Sequence, residues 1–197
     1  MHDDFKAAKD FFNNMAQNWD STFTPDPEKI KLITSLCPIP DRAEVIDIAC
    51  GTGALFPILL SAGPSKILGV DISEKMLEEA SKKFQDPRIK LLCANFFDVE
   101  ETGFDRAFIY RAYPHFHNKT AFIKHLHHIL KDGGRFIIAH TESRKAINSR
   151  HQKTAAGVSD ILSDAETESK LFADFFDIDI KADTDFLYII SGTKRAL

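Results

Sequence analysis

Apolar residues near the start of the chain recur with the spacing of an amphipathic helix. The pattern covers residues 4–18, and Pro25 then interrupts it. A second helix is predicted from Pro27 to Leu36, because proline suits the first turn of a helix. We expect residues 1–40 to form a helical cap, or lid, over a main sheet. The apolar positions of the first helix are Phe5, Ala8, Phe11, Phe12, Met15 and Ala16.

From residue 41 onwards, short apolar runs alternate with amphipathic segments. Ser73 is well placed to N-cap one of these helices. Five strands separated by helical connections predict a parallel, doubly wound sheet. We predict strands at 44–49, 66–71, 89–93, 106–110 and 135–139, and helices at 54–62, 74–84 and 120–130.

The chain ends in two further predicted strands, at 176–181 and 186–191, which follow a helix at 164–174. The link between the two strands is too short for a parallel crossover, so they should form a hairpin. The predicted fold is an α/β three-layer sandwich with a mostly parallel seven-stranded sheet, an antiparallel C-terminal hairpin strand and the N-terminal helical cap. We interpret residues 1–197 as one domain with its core over 41–197.

Composition and charge narrow the classes of partner. The chain has 197 residues, 44% of them hydrophobic, and no apolar run approaches the roughly 20 residues that span a bilayer. The first residues are acidic and do not resemble a signal peptide, so we expect a cytoplasmic protein with no membrane partner. The net charge is -4 and the basic residues are scattered, which favours a small-molecule substrate over nucleic acid. We expect a monomer or homodimer.

The sequence offers weak support for a metal site. The three cysteines have no metal-type spacing, and we interpret them as free thiols. Several of the eight histidines are close in sequence, but no cysteine or carboxylate completes a convincing ligand set. We therefore predict no metal.

A glycine-rich loop follows the first strand of the core. Val45–Ala49 leads into Cys50–Gly53, and a helix comes next. Glycines there allow positive φ and close approach of a ligand, and the helix start offers free amides. The pattern is typical of a nucleotide site at the carboxyl ends of parallel strands, although a tight turn without a ligand has the same pattern.

Two carboxylates accompany this loop. Asp71 ends the second strand, where it can accept both ribose hydroxyls of an adenosine ligand. Asp47 lies inside the first strand, where a carboxylate is costly unless loop amides or the ligand's ammonium group bind it. Both positions favour an adenosine-type ligand.

Together, these segments resemble the motifs of the class I S-adenosylmethionine-dependent methyltransferases, which have a seven-stranded Rossmann-like fold. The resemblance covers roughly residues 5–197. The first motif is matched by Val45–Gly53, the second by Gly69–Ser73, the adenine segment by Cys93–Phe96, the fourth-strand motif by Phe104–Ile109, and the turn into the fifth strand by Leu130–Phe136.

The resemblance implies transfer of a methyl group from S-adenosyl-L-methionine to a small-molecule acceptor, with S-adenosyl-L-homocysteine (SAH) as product. Asn95 stands where the family often has aspartate, and its carbonyl can still bind the adenine amino group. The segment Tyr110–Phe116 departs from the Asn/Asp-Pro-Pro-Tyr motif of enzymes that methylate bases or glutamine, which disfavours that substrate class. The implied cofactor-binding residues are Asp47, Ala49, Cys50, Gly51, Gly53, Asp71, Ile72, Met76, Asn95, Phe96 and Arg111.

The catalytic candidates lie just after the fourth strand. A histidine side chain ordinarily titrates near neutral pH, so His115 suits the role of a general base, although a solvent-exposed loop histidine fits the sequence equally well. We also place Tyr113 in the catalytic set, because Tyr113 and Arg111 can orient an acidic substrate or close on the cofactor.

The substrate candidates follow the fifth strand. If 142–151 is helical, Arg144, Asn148 and His151 share one face, and His140 lies near the same end of the sheet. That face can line a substrate pocket or be solvated. Trp19, in the predicted lid, can stack on a ligand or anchor its helix.

Two other functions fit part of this pattern. A nicotinamide-dependent oxidoreductase shares the glycine loop and the acidic residue, but Phe56 occupies the third glycine position of its G-x-G-x-x-G motif. A binding module that keeps the cofactor site without turnover has the same motifs.

Overall fold

A computed structural model describes residues 2–24, 26–155 and 157–196. Its seven strands form a single sheet in the order β3-β2-β1-β4-β5-β7-β6, in which β7 runs antiparallel between β5 and β6. The other paired neighbours run parallel. The predicted mostly parallel sheet and its C-terminal hairpin are therefore confirmed. The strands are β1 Glu44–Ile48, β2 Lys66–Asp71, β3 Ile89–Cys93, β4 Phe104–Tyr110, β5 Leu130–His140, β6 Phe176–Asp183 and β7 Tyr188–Lys194.

Helices cover both faces of the sheet, because the central strands alternate apolar side chains between two cores. Val45 packs into the core that holds α3, α4 and α5, whereas Ile46 packs into the core that holds α6 and α8. The predicted three-layer sandwich is confirmed. The helices are α1 His2–Met15, α2 Trp19–Thr22, α3 Pro27–Leu36, α4 Phe56–Ser61, α5 Glu74–Lys83, α6 Lys119–Ile129, α7 Arg144–Thr154 and α8 Ala165–Ser169.

The first forty residues divide into two parts. Helix α1 packs on α5, where Ser73 Oγ donates to Asn13 Oδ1 over 2.6 Å and also caps α5 as predicted. Helix α3 instead belongs to the layer over the sheet, since Ile33 is fully buried in that core. Along the described segments, no helix is both long enough and apolar enough to cross a membrane.

Some boundaries differ from the predictions. Strand β5 begins at Leu130, which pairs with Phe104, and the chain bulges before pairing resumes at Arg135. Strand β7 begins at Tyr188, because Phe186 lies in the preceding turn with 68% of its surface exposed. Helix α7 runs on to Thr154, whereas the predicted helix at 164–174 is the short α8 followed by a 3₁₀ turn.

Candidate functional site

A cleft opens at the carboxyl ends of β1 and β4. The strand order reverses between these two strands, and open α/β sheets bind ligands at such a switch point. Eleven of the predicted site residues line this cleft: Trp19, Ala49, Cys50, Gly51, Asp71, Ile72, Met76, Asn95, Phe96, Arg111 and His115.

The backbone at the mouth of the cleft adopts a conformation that non-glycine residues seldom take. Ala49 follows β1 with φ +56°, and Arg111 follows β4 with φ +59°. Gly51, with φ +55°, continues the turn from Ala49. Non-glycine residues held in the left-handed region cost free energy and cluster at functional sites. Both strands therefore end in sharp turns that expose loop backbone to the cleft.

Asp71 holds the glycine loop in place. One carboxylate oxygen accepts from the Gly51 amide over 2.8 Å, and the other accepts from the Ser73 amide over 2.8 Å. Burial raises the pKa of Asp71 to about 6, although these amide hydrogen bonds favour the charged form. The carboxylate therefore sits on the cleft wall with spare lone pairs for hydroxyl donors.

Gly53 and Asp47 lie outside the cleft wall. A Cβ on Gly53, whose φ is +83°, would come within 2.6 Å of the Phe56 ring, so Gly53 makes room for the helix that follows. Asp47 is 2% exposed, and burial followed by the charge of Asp71 raises its pKa well above the usual range. The structure thus places these two predicted cofactor residues behind the loop, where contact with a ligand would be indirect.

The adenine segment begins a 3₁₀ turn at Phe96–Asp98. Asn95 caps this turn, because its Oδ1 accepts from the Phe97 amide over 3.2 Å. A carbonyl oxygen has two lone pairs, so the cap leaves capacity for a second donor. Phe96 is buried among aromatic rings and presents an apolar wall beside Asn95.

His115 faces the cleft from the 3₁₀ turn that follows β4. Its Nδ1 lies 2.8 Å from the carbonyl oxygen of Val158 and 2.8 Å from Ser159 Oγ. A carbonyl can only accept, so Nδ1 carries the proton and Nε2 keeps its lone pair. Burial lowers the pKa of His115 to about 4, and the neighbouring His151 adds to this effect. The ring is therefore neutral near pH 7.

Tyr113, predicted as catalytic, lies in the protein core. Its side chain is fully buried, and its hydroxyl donates to Glu168 Oε1 over 2.7 Å. Burial, reinforced by the Glu168 charge, raises the pKa of Tyr113 above its usual value. The residue therefore sits away from the cleft wall, where it anchors α8 to the turn after β4.

The side chains that were predicted to share one face of α7 contact different parts of the structure. The Arg144 guanidinium pairs with Asp183 over 2.7 Å, and Asn148 exchanges hydrogen bonds with the backbone of Leu162. His151 and His140 are both buried, and the His151 ring lies 5.1 Å from that of His115. The structure thus brings the two histidines towards the cleft and ties Arg144 and Asn148 to neighbouring segments.

The N-terminal helices form one wall of the cleft. Trp19 packs against Phe23, with ring centroids 4.5 Å apart, and its Nε1 lies beside Gly51. Trp19 therefore anchors its helix and also faces the cleft. Phe5, Ala8 and Phe12 line the same wall; they belong to the apolar face that sequence analysis assigned to the cap, without assigning them to the site.

Sequence analysis did not assign the remaining lining residues to the site. Phe23 and Tyr110 reach the cleft only because separated segments converge there. Thr52 lies in the glycine loop and donates to Asp20 Oδ1 over 2.6 Å, which joins the loop to the N-terminal segment. Across the described ranges, no group of three or more His, Cys, Asp or Glu side chains has the geometry of a metal site.

Comparison with known proteins adds a sequence match that coincides with this site. The family model described as "Methyltransferase domain" matches residues 45–134, which run from β1 into β5. The chain is also 31% identical, over 144 residues, to malonyl-(acyl-carrier protein) O-methyltransferase of Priestia megaterium. That match covers 68% of this chain and 51% of the relative. The chain spans less than two thirds of the length of the curated relatives it matches.

Solved structures share the fold at low sequence identity. One is a complex between the Haloferax volcanii Trm112 methyltransferase activator and the putative methyltransferase, with a TM-score of 0.82 and 16% identity over 96% of this chain and 98% of that one. Another is magnesium protoporphyrin IX methyltransferase from Synechocystis PCC 6803 with bound SAH, with a TM-score of 0.71 and 20% identity over 97% and 99%.

Proposed function

We propose that the protein is a class I S-adenosylmethionine-dependent methyltransferase that transfers a methyl group from this cofactor to a small-molecule acceptor, and the match of residues 45–134 to a methyltransferase domain supports the proposal. The observation that carries the proposal is Asp71. Its carboxylate faces the cleft while it holds the Gly51 amide, so one side chain both shapes the glycine loop and faces the ligand space.

The side chains and backbone that line the cleft have the chemical groups needed to bind the cofactor. Asp71 offers acceptors for the ribose hydroxyls, Asn95 and Phe96 offer a polar edge and an apolar face for adenine, and the loop backbone from Ala49 to Gly51 approaches the amino-acid end. When bound, S-adenosylmethionine supplies an electrophilic methyl group on its sulfonium. The protein's task is then to align the acceptor and to exclude water.

His115 is the residue best suited to take a proton from the acceptor. Its Nδ1–H donates to the Val158 carbonyl, which leaves the Nε2 lone pair free, and its lowered pKa keeps the ring neutral. Nε2 of His115 would accept the proton that the acceptor loses when it is methylated. A base whose pKa lies near the operating pH contributes roughly 100- to 10,000-fold in rate, and the pKa of about 4 places the contribution of His115 towards the lower end.

The shape of the cleft supports a small acceptor. The N-terminal helices cover one side of it with Phe12, Trp19 and Phe23, so a compact molecule fits better than a long polymer. The scattered basic residues also argue against nucleic acid.

The nicotinamide alternative finds no support. Phe56 is fully buried at the third position of the glycine motif, where its ring fills the space beside Gly53 and Gly69.

Calorimetric titration of the full-length protein with SAH, and separately with NADH, tests the proposal. We expect SAH to bind with micromolar or tighter affinity and NADH to give no heat of binding. Labelled S-adenosylmethionine with a panel of small oxygen, nitrogen and sulfur nucleophiles then tests turnover.

The control for the titration is Asp71→Asn, which keeps the size of the side chain but removes its charge. We expect it to weaken SAH binding at least tenfold, or about 1.4 kcal/mol. A folded wild-type protein that binds no SAH would disprove the proposal, and binding without transfer to any acceptor would indicate a module that has lost turnover.

A further inference from the structure

Three buried side chains beside the cleft have unmet hydrogen-bonding capacity. Within residues 2–24, 26–155 and 157–196, both ring nitrogens of His140, Nδ1 of His151 and the hydroxyl of Tyr188 have no hydrogen-bond partner. His140 is 1% exposed, His151 is 7% exposed, and Tyr188 is fully buried. We call His140, His151 and Tyr188 the buried polar cluster.

Such a cluster is costly to leave unfilled. A buried donor or acceptor without a partner costs about 1–3 kcal/mol, and native proteins rarely tolerate several together. Burial and the nearby arginines lower the pKa of His140 and His151, so both rings are neutral and each carries one N–H donor. With the Tyr188 hydroxyl, the cluster offers three donors when His151 carries its proton on Nδ1, the unpartnered nitrogen.

The cluster is close to the cleft. The His151 ring lies 5.1 Å from that of His115, which lines the cleft, and His140 pairs with Tyr188 across β5 and β7. The three residues come from β5, α7 and β7, so the tertiary fold brings them together.

Positive charge exceeds negative charge beside Arg111, on the cleft side of the cluster, whereas Tyr188 lies near the carboxylates of Glu168, Asp183 and Asp164. Arg111 and Arg150 both pair with Glu142, so two guanidinium groups share one carboxylate. Both also lie over the Phe23 ring, 5.0 and 5.7 Å from its centroid, and Arg111 and Phe23 line the cleft. An anion that binds here would therefore contact a guanidinium group whose charge Glu142 does not fully neutralise.

We propose that the buried polar cluster and Arg111 form a subsite for an oxyanion, a carboxylate or a phosphate, carried by the methyl acceptor. Because the three cluster side chains are buried and do not line the cleft, the oxyanion would displace Glu142 from Arg111 and reach the cluster past the His115 ring. The assignment of this group to the acceptor rests on the proposed function, whereas the anion site itself does not.

The test uses the full-length protein saturated with SAH and labelled with ¹⁵N-histidine. Benzoate, inorganic phosphate and the neutral benzamide are titrated separately, and the imidazole nitrogen resonances of His140 and His151 are followed. We expect at least one anion to bind and shift both residues, while benzamide leaves them unchanged. Benzoate alone would identify a carboxylate site, and phosphate alone a phosphate site.

Three variants predict changes in anion affinity, in stated directions, that a merely structural role of the cluster would not produce. Glu142→Gln removes the competing carboxylate and should tighten anion binding roughly tenfold, whereas Arg150→Gln should weaken it roughly tenfold. Lys153→Gln removes an exposed cation from the same helix and should leave the affinity unchanged.

Three results would overturn the inference: no shift with either anion, an equal response to benzamide, or weaker anion binding in Glu142→Gln. The first would mean that ordered water fills the cluster. Because SAH binding is measured beforehand, its failure counts against the proposed function, while SAH binding without anion binding counts against this inference alone.

Discussion

Asp71 combines a structural and a ligand-facing role in one carboxylate. It accepts the amides of Gly51 and Ser73, yet burial still raises its pKa to about 6. The ionised form is the better acceptor for two ribose hydroxyls, because protonation turns one acceptor oxygen into a donor. If Asp71 binds the ribose hydroxyls as proposed, ligand binding and proton release are coupled at this residue.

We predict that SAH affinity falls as the pH drops through about 6. The folded pKa is raised, so the unliganded carboxylate takes up a proton below pH 6, and SAH must displace that proton to bind. Each pH unit below 6 should weaken binding by up to about tenfold. Calorimetry between pH 5 and 8 measures this slope. Asp71→Asn should bind SAH weakly at every pH. If this variant kept the slope of the wild type, the pH dependence could not be assigned to Asp71.

Among the secondary-structure elements, the N-terminal segment depends on a small set of polar contacts with the core. Asp20 accepts from Thr52 Oγ1 over 2.6 Å and pairs with Lys83 over 2.7 Å. Burial opposes the charge on Asp20, but hydrogen bonds from Lys83 and Thr52 outweigh it and hold its pKa below the usual value. We propose that these contacts hold the segment as a lid on the glycine loop.

Asp20→Ala should loosen this lid. We expect SAH to dissociate roughly three- to tenfold faster, since a hydrogen bond to a charged group contributes about 1 kcal/mol when partly exposed. Stopped-flow displacement measures the rate, and hydrogen exchange at residues 16–24 reports local opening. Lys82→Ala is the matched control, because Lys82 pairs with Glu79 on its own helix. Equal dissociation rates in wild type and Asp20→Ala would exclude a lid role.

Across the whole molecule, one aromatic ring joins the glycine loop, the sheet and a helical layer. Phe56 is fully buried in α4, and a Cβ at Gly69 in β2 would lie 2.7 Å from its ring and 3.0 Å from Cys50 Sγ. The glycine of β2 therefore makes room for the phenylalanine that stands in the third position of the glycine motif.

Gly69→Ala should destabilise the fold by about 1–3 kcal/mol through overpacking. The double variant Gly69→Ala with Phe56→Leu should lose less than the sum of the single changes, because the smaller side chain relieves the clash. Urea unfolding of the four proteins gives the coupling energy. Strict additivity would show that the ring and the added methyl group do not meet.

The cofactor end of the site was predictable because its determinants are local. The strand that enters Cys50–Gly53, Asp71 at the end of β2 and Asn95 after β3 are short motifs, and parallel strands align their carboxyl ends at one edge. The sheet and the hairpin were predicted from the apolar runs and the lengths of the links between them. The predicted start of β7 was two residues too early, because the aromatic Phe186, which lies exposed in a turn, resembles a strand residue in the sequence.

The acceptor end was decided by the tertiary structure. Tyr113 and His115 are two residues apart, yet one anchors Glu168 in the core and the other faces the cleft, because a 3₁₀ turn points them in different directions. Segments far apart in sequence bring His140, His151 and Tyr188 together. The sequence alone predicted the proposed cofactor site, since short motifs at the ends of neighbouring strands make up its wall. Only the packing of separate elements decided which polar side chains lie beside the cleft, because the burial and the hydrogen-bond partners of a side chain depend on residues that are distant in the sequence.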